Sequence, residues 1–257
     1  MKRIIILIFL SFTILSTSAL ANETYTIGIP YLNAEKGITP KIEALISEMY
    51  SRANLSIKFK YFPGLRDLIS ANNGITDGSG VRTLQAIAQY SNLTNITTPV
   101  AVANFSSFSK NKKNIITTPK DLHKLTVGVV RGEITPCNIA HKYAKKAHIV
   151  NSYESLLGLL ERGRVDAIIM ERTLARKLFT KKNAKGIIES EPLVSRKLYH
   201  IINNKHAHFL KPKLDKSLRG MLLDGTAKKL FGQYEDIIFS TPPLPPKKSR
   251  TTQTTPQ

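Results

Sequence analysis

Residues 125–137, LTVGVVRGEITPC, decide the fold class. Leu125–Val130 is a short apolar run of strand length, rich in β-branched residues, with Gly128 inside it. Arg131-Gly132 breaks the run. Thr135-Pro136 then reads as an N-cap residue and a proline at the first helical position, where a missing N–H costs nothing. Behind it, Ile139, Ala140, Tyr143, Ala144 and Ala147 recur at helical spacing. The stretch therefore reads as strand, tight turn and helix start. Taken alone it is an ordinary βα turn. In open α/β sheets, however, ligands sit off the carboxyl ends of the strands, where unpaired N–H groups and the helix dipole face a cleft.

The flanking segments repeat the same rhythm. Upstream, Tyr25–Ile29 reads as a strand with Pro30–Asn33 as its exit loop. Ile42, Leu45, Ile46, Met49 and Tyr50 mark a helix after Thr39-Pro40, and Leu55–Phe62 alternates like a half-buried strand. Leu65, Leu68 and Ile69 mark a short helix that stops at Asn72-Asn73-Gly74. Asp77-Gly78 and Ser79-Gly80 read as turn signals, and Val81, Leu84, Ile87 and Ala88 as a helix. Ala101–Phe108 is extended. Downstream come a very short strand at His148–Val150, a helix capped by Ser152 and ended by Gly163, a strand at Val165–Met170, and a helix from Glu171. Leu198–Ile202 returns as extended chain, Leu214–Leu222 forms a late helix, and a last helix runs to Tyr234. Two βα sets, 24–100 and 123–190, are thus joined by extended stretches at both ends. This predicts an α/β fold of two lobes with two crossings.

Composition narrows the class. The chain opens MKRIIILIFLSFTILSTSALA: two cations, an apolar core over Ile4–Leu15, and a small-residue A-x-A site at Ala19–Ala21. That is a cleavable secretory signal, so residues 1–21 are expected to be removed and the remainder to lie in the periplasm. The 257-residue chain would then keep 236 residues, enough for one large or two modest domains. Cys137 is the sole cysteine, so packing and not disulfide bonding must hold the fold. Basic residues outnumber acidic ones by 38 to 18, but they are spread in small groups along the chain without a nucleic-acid motif. Solvated faces, turned toward anionic lipids or acidic ligands, explain them better. The six histidines show no metal spacing apart from His206-x-His208 in a lysine-rich setting, so no metal and no cofactor is expected. The tail from Thr241, TPPLPPKKSRTTQTTPQ, has a disordered composition.

Five segments in this order resemble the periplasmic solute-binding proteins of type II, in particular the amino-acid-binding family 3. They are the opening strand with Pro30-Tyr31, then FPGLRDLISANNGITDGSGVR (62–82), DLHKLTVGVVRGE (121–133), GRVDAIIMERTLA (163–175) and DGTAKKLFGQY (224–234). The resemblance implies lobe 1 over 22–107 plus 200–240 and lobe 2 over 108–199, with a solute cleft between them. It implies a non-enzymatic monomer that presents a small carboxylate-bearing, amino-acid-like solute to an inner-membrane transporter. The alternative on the same fold is a periplasmic enzyme of cyclohexadienyl dehydratase type, with Glu133 or Glu171 as the acid.

The resemblance also proposes the site. The family's carboxylate-binding arginine falls on Arg82, its first-loop aromatic on Tyr31, its acid for the ligand amino group on Glu171, and its second-lobe turn on Arg131, Gly132 and Glu133. Each has a plainer explanation: Arg82 as a surface helix residue, Tyr31 as packing, Glu133 and Glu171 as acids serving a helix dipole. Glu133 departs from the Thr or Ser of most members, and a carboxylate there repels a ligand carboxylate. If Arg82 holds a carboxylate, its truncation should remove about 2–5 kcal/mol of binding. It should leave stability unchanged, provided Arg82 faces the cleft and not a salt bridge in the core.

Overall fold

The computed structural model of the chain describes residues 23–31, 38–63, 65–114 and 116–238. The expected leader and tail lie outside them. The first half runs β1 (Thr24–Tyr31), α1 (Thr39–Ser51), β2 (Ser56–Pro63), α2 (Arg66–Asn72), β3 (Gly78–Thr83), α3 (Leu84–Ile87), β4 (Leu93–Asn95) and β5 (Ala101–Ser109). A 3-10 turn, Pro119–Lys124, leads to β6 (Thr126–Val130), α4 (Ile134–Tyr143), β7 (Lys146–Val150), α5 (Tyr153–Glu161), β8 (Ala167–Glu171), α6 (Arg172–Lys182) and β9 (Ile188–Glu189). The chain returns through β10 (Val194–Asn203), α7 (Asn204–Leu223), α8 (Thr226–Phe231) and a closing 3-10 turn, Gly232–Ile237.

The main path of the sheet has the order β2-β1-β3-β10-β5-β8-β6-β7. At one end β1 runs parallel to β2 and β3; at the other, β6 runs parallel to β7 and β8. Between them lies an antiparallel pair, β5 and β10, with Val194 opposite Phe105 and Leu198 opposite Ala101. Strand β5 pairs onward with β8, and β10 pairs with β3 and β4. These two strands are the crossings. Because they bond to each other, the two passages form one ribbon and not two loose linkers.

Buried side chains divide accordingly. One core gathers Ile27, Ile29, Leu45, Met49 and Tyr50 with Leu214, Leu218 and Met221, so the late helices return to pack on the first strands. A smaller satellite joins Leu68 and Ala71 to Ile87 and Ile201. Two further clusters lie on either face of β6 and β8: Val127, Val129, Ile139 and Ile169 on one, Leu156, Leu160, Ile168 and Met170 on the other. A strand covered on both faces reads as a continuous apolar run, which is why TVGVV and AIIM carry no alternation.

Several expectations need correcting. Gly78–Thr83 is a central strand and not a turn, and the expected helix is confined to Leu84–Ile87. A Cβ at Gly78 would sit 2.5 Å from the Ile201 carbonyl oxygen, so the glycine marks a close strand approach. Pro30 and Tyr31 stay in β1, opposite Phe62 and Pro63. Helix α4 begins at Ile134 after Glu133, which takes the N-cap position without a side-chain bond; Thr135-Pro136 lie inside the first turn. The helix stops at Tyr143, and Ala147 belongs to β7. Helix α7 starts at Asn204, well before Leu214, because the Asn203 side chain accepts from the Lys205 N–H and Pro212 is tolerated on the outer side.

Candidate functional site

A cavity of about 190 Å³ opens between the two halves. Its floor and walls come from β1, α1 and β3 on one side, and from the β6–α4 turn and the β8–α6 junction on the other. Arg82, Arg131, Gly132, Glu133 and Glu171 all line it. Tyr31 ends β1 beside Pro30, which also lines the cavity, but the Tyr31 side chain lies outside the described residues.

Arg82 projects from a strand and not from a surface helix. Its Nη2 donates to Asp67 Oδ2 at 2.5 Å, and Nη1 donates to the Val81 carbonyl at 3.1 Å. Asp67 is fully buried and also accepts from Ser79 Oγ at 2.6 Å. The guanidinium therefore enters the cleft already paired. Arg82 Nε and Asp67 Oδ1 are buried without a hydrogen-bond partner. Removing Arg82 would strand a buried carboxylate, so its truncation must destabilise the fold; the proviso on its sequence-based expectation is not met.

Behind β3 a second buried link fixes the backbone. His200 on β10 is fully buried, with Nδ1 3.0 Å from the Gly80 carbonyl and Nε2 3.0 Å from Tyr50 Oη. A carbonyl can only accept, so Nδ1 carries the proton and Nε2 accepts from the tyrosine. Burial depresses the imidazole to about 4, against the partial opposition of hydrogen bonds to Gly80 and Ser79, and keeps it neutral.

The opposite wall is held from the surface. Arg131 is exposed and donates from Nε to Asn151 Oδ1 at 3.0 Å; its Nη1 and Nη2 make no hydrogen bond among the described residues. Gly132 has φ +88, a left-handed conformation that suits glycine, and it turns the chain from β6 into α4. Glu133 Oε1 accepts from Tyr153 Oη at 2.6 Å. Burial, then the nearby Glu133 carboxylate, push the Tyr153 hydroxyl well above its ordinary value, so it stays a donor. Glu171 caps α6 by accepting from the Leu174 N–H at 2.9 Å, while its Oε1 is buried without a partner. Burial raises its pKa. The N–H groups of Leu174, Thr173 and Asn104 favour the charged form, though none completes a hydrogen bond to Oε1.

Between these charges the walls are apolar: Ile29, Ile42, Phe105, Ile134, Leu174 and Leu198. With Arg82 matched by Asp67, the remaining Arg131 faces two acids, so the cleft holds one negative charge in excess. Chemically, this arrangement offers one unpaired guanidinium fork, one buried carboxylate oxygen and an apolar lining. Among the described residues no cluster of His, Cys, Asp or Glu could hold a metal ion.

Asp67, Tyr153 and Phe105 were not foreseen. Asp67 sits in a helix whose exposed face carries Ile69, at 48% exposure, so the apolar spacing pointed to the wrong side. A lone acid in that weakly amphipathic stretch was the available signal.

No protein-family model matches the sequence, and no curated protein matches it. Solved structures do. One is a histidine kinase sensor domain with similarity to periplasmic binding proteins, with a TM-score of 0.71 and 12% identity, covering 85% of this chain and 98% of that one. The GluR0 ligand-binding core in complex with L-glutamate has a TM-score of 0.71 and 12% identity, over 83% and 99% of the two chains. An ancestral arginine-binding protein bound to arginine has a TM-score of 0.61 and 19% identity, over 82% and 97%. Together with the crossed sheet and the interlobe cavity, these likenesses give the chain the two-lobed type II periplasmic-binding-protein fold.

Proposed function

We propose that the chain is a non-enzymatic solute-binding protein that captures a small amino-acid-like solute between its lobes and presents it to a membrane transporter. The observation that carries this reading is the pair of unsatisfied charged groups on the wall built from the β6–α4 turn and the β8–α6 junction. Arg131 brings a guanidinium with two unpaired nitrogens, and Glu171 brings a buried oxygen with no donor. A buried acceptor left unpaired costs about 1–3 kcal/mol, and a ligand ammonium would relieve that cost. The solute carboxylate goes to the Arg131 guanidinium, because the Arg82 fork is committed to Asp67. Arg82 then contributes its Nε and its rigidity. Glu133, tethered by Tyr153, adds to the excess negative charge and favours an ammonium-bearing solute.

On this reading lobe 1 comprises 22–107 and 200–240, lobe 2 comprises 108–199, and the β5–β10 ribbon is the hinge. The leader sends the protein to the periplasm, and N-terminal sequencing of the exported protein should begin at Asn22. A retained Met1 in the membrane fraction would contradict this. A thermal-shift screen tests the binding role, since a ligand that binds only the folded form raises Tm. Amino acids are compared with the amines and acids that share their skeletons. The reading expects a shift for at least one amino acid, larger than for either single-charge analogue. A shift as large for an acid alone would overturn it.

A further inference from the structure

The longest helix, α7, carries no cleft-lining residue, yet its outer face is unusual. Leu210, Leu214, Ser217, Leu218 and Met221 are buried on one side. On the other, Lys205, Phe209, Pro212, Lys216, Arg219 and Leu223 recur at spacings of three and four, which places them on a single stripe. Phe209 is 46% exposed and Leu223 is 70% exposed, so two large apolar side chains stand in solvent among cations. Lys213 sits beside the stripe, its Nζ 4.0 Å from the Phe209 ring centroid.

Among the described residues, acids meet few of the cations on this stripe. Asp215, the helix's only acid, points to the 97–98 turn and accepts the Thr97 and Thr98 N–H groups. Lys205 is met by Asp77 at 3.1 Å, whereas Lys216 and Arg219 have no partner among the described residues. The chain as a whole carries a formal charge of +20.

We propose that the outer face of α7 docks on an anionic phospholipid surface. Lys213, Lys216 and Arg219 would meet phosphate headgroups, and Phe209 and Leu223 would enter the headgroup–acyl boundary. A second copy of the chain is a poor occupant, because a self-complementary contact would bring these cations face to face. A nucleic acid would take the cations but leave Leu223 in water. A lipid surface accommodates both kinds of side chain. Docking through α7 leaves the cleft residues uncovered.

Vesicle co-sedimentation of the full chain tests the proposal, using phosphatidylcholine with and without phosphatidylglycerol. Every variant keeps the same termini, so differences between variants report on the altered face. The expected result is phosphatidylglycerol-dependent binding that weakens with salt. It should fall roughly tenfold or more in K213E/K216E, and several-fold in F209S/L223S. Circular dichroism should show both variants folded, and K112E/K113E, on a polar loop away from α7, should bind like the wild type. Three results would overturn the proposal: equal loss in K112E/K113E, which would make the attraction diffuse; unchanged binding in K213E/K216E; or duplex DNA competing with the vesicles through F209S/L223S-insensitive contacts.

Discussion

Arg82 and Arg131 face the same cleft from opposite lobes, yet one is anchored in the core and the other is steadied at the surface. Arg82 rises from a central strand, ion-paired to a fully buried aspartate, with the neutral His200–Tyr50 link pinning the backbone behind it. Arg131 sits on a glycine turn and leans on Asn151 through one bond. The same side chain therefore has different work in the two places. Buried and paired, an arginine fixes geometry; exposed with its fork unpaired, it is available to a ligand. On the proposed reading, the β3 wall serves as scaffold and the wall of the β6–α4 turn as reader.

That contrast predicts a graded series of effects. The largest belongs to the Arg82–Asp67 pair. Truncating either partner to Ala should lower the unfolding free energy by about 3–5 kcal/mol, measured by urea unfolding, because the other charge is left buried. A loss under about 1 kcal/mol would place Arg82 with Arg131 and erase the distinction.

Next is the pH dependence carried by His200. Its folded pKa, about 4, lies below the ordinary 6.5, so between these values the unfolded chain binds a proton that the folded chain refuses. Stability from this group is complete above about pH 6.5 and declines as pH falls toward 4, by about 3 kcal/mol in all. The difference between wild type and H200Q, measured by denaturant unfolding across that window, should show this slope. Parallel pH profiles would mean that His200 is not held neutral in the fold.

Smaller still is Y153F, which removes one hydrogen bond to Glu133 and should reduce stability by about 1–2 kcal/mol. R131A should change stability by less than about 0.5 kcal/mol, since only one exposed bond is lost. It should nevertheless abolish the thermal shift of the best amino acid in the screen. A thermal shift that survives R131A but not R82K would move the carboxylate site back to β3.

Much of the fold was legible because its elements are local. Ser152, Glu171 and Gly163 punctuate helices as their chemistry dictates, and the apolar runs of β6 and β8 mark a sheet covered on both faces. Some differences arise where glycine or proline reads as a turn signal but tertiary contact sets its meaning. Gly78 admits a neighbouring strand, and Pro30 stays within β1 opposite Phe62. The resemblance brought Arg82, Arg131, Gly132, Glu133 and Glu171 to one cavity, but not their partners. Asp67 and Tyr153 are fifteen or more residues from the groups they hold, and no local pattern encodes a pairing across that span.

The most direct test of the central claim, that Arg131 and Glu171 on one wall of the cleft grip the two ends of an amino-acid-like solute, is a calorimetric titration of wild type and E171Q. Each protein is titrated with the best amino acid from the screen and with the deaminated acid of the same skeleton. Glu171 should matter only to the ammonium. The account predicts that E171Q weakens the amino acid by about 2–5 kcal/mol and leaves the deaminated acid unchanged or tighter. An equal loss for both ligands, or no loss for the amino acid, would contradict it.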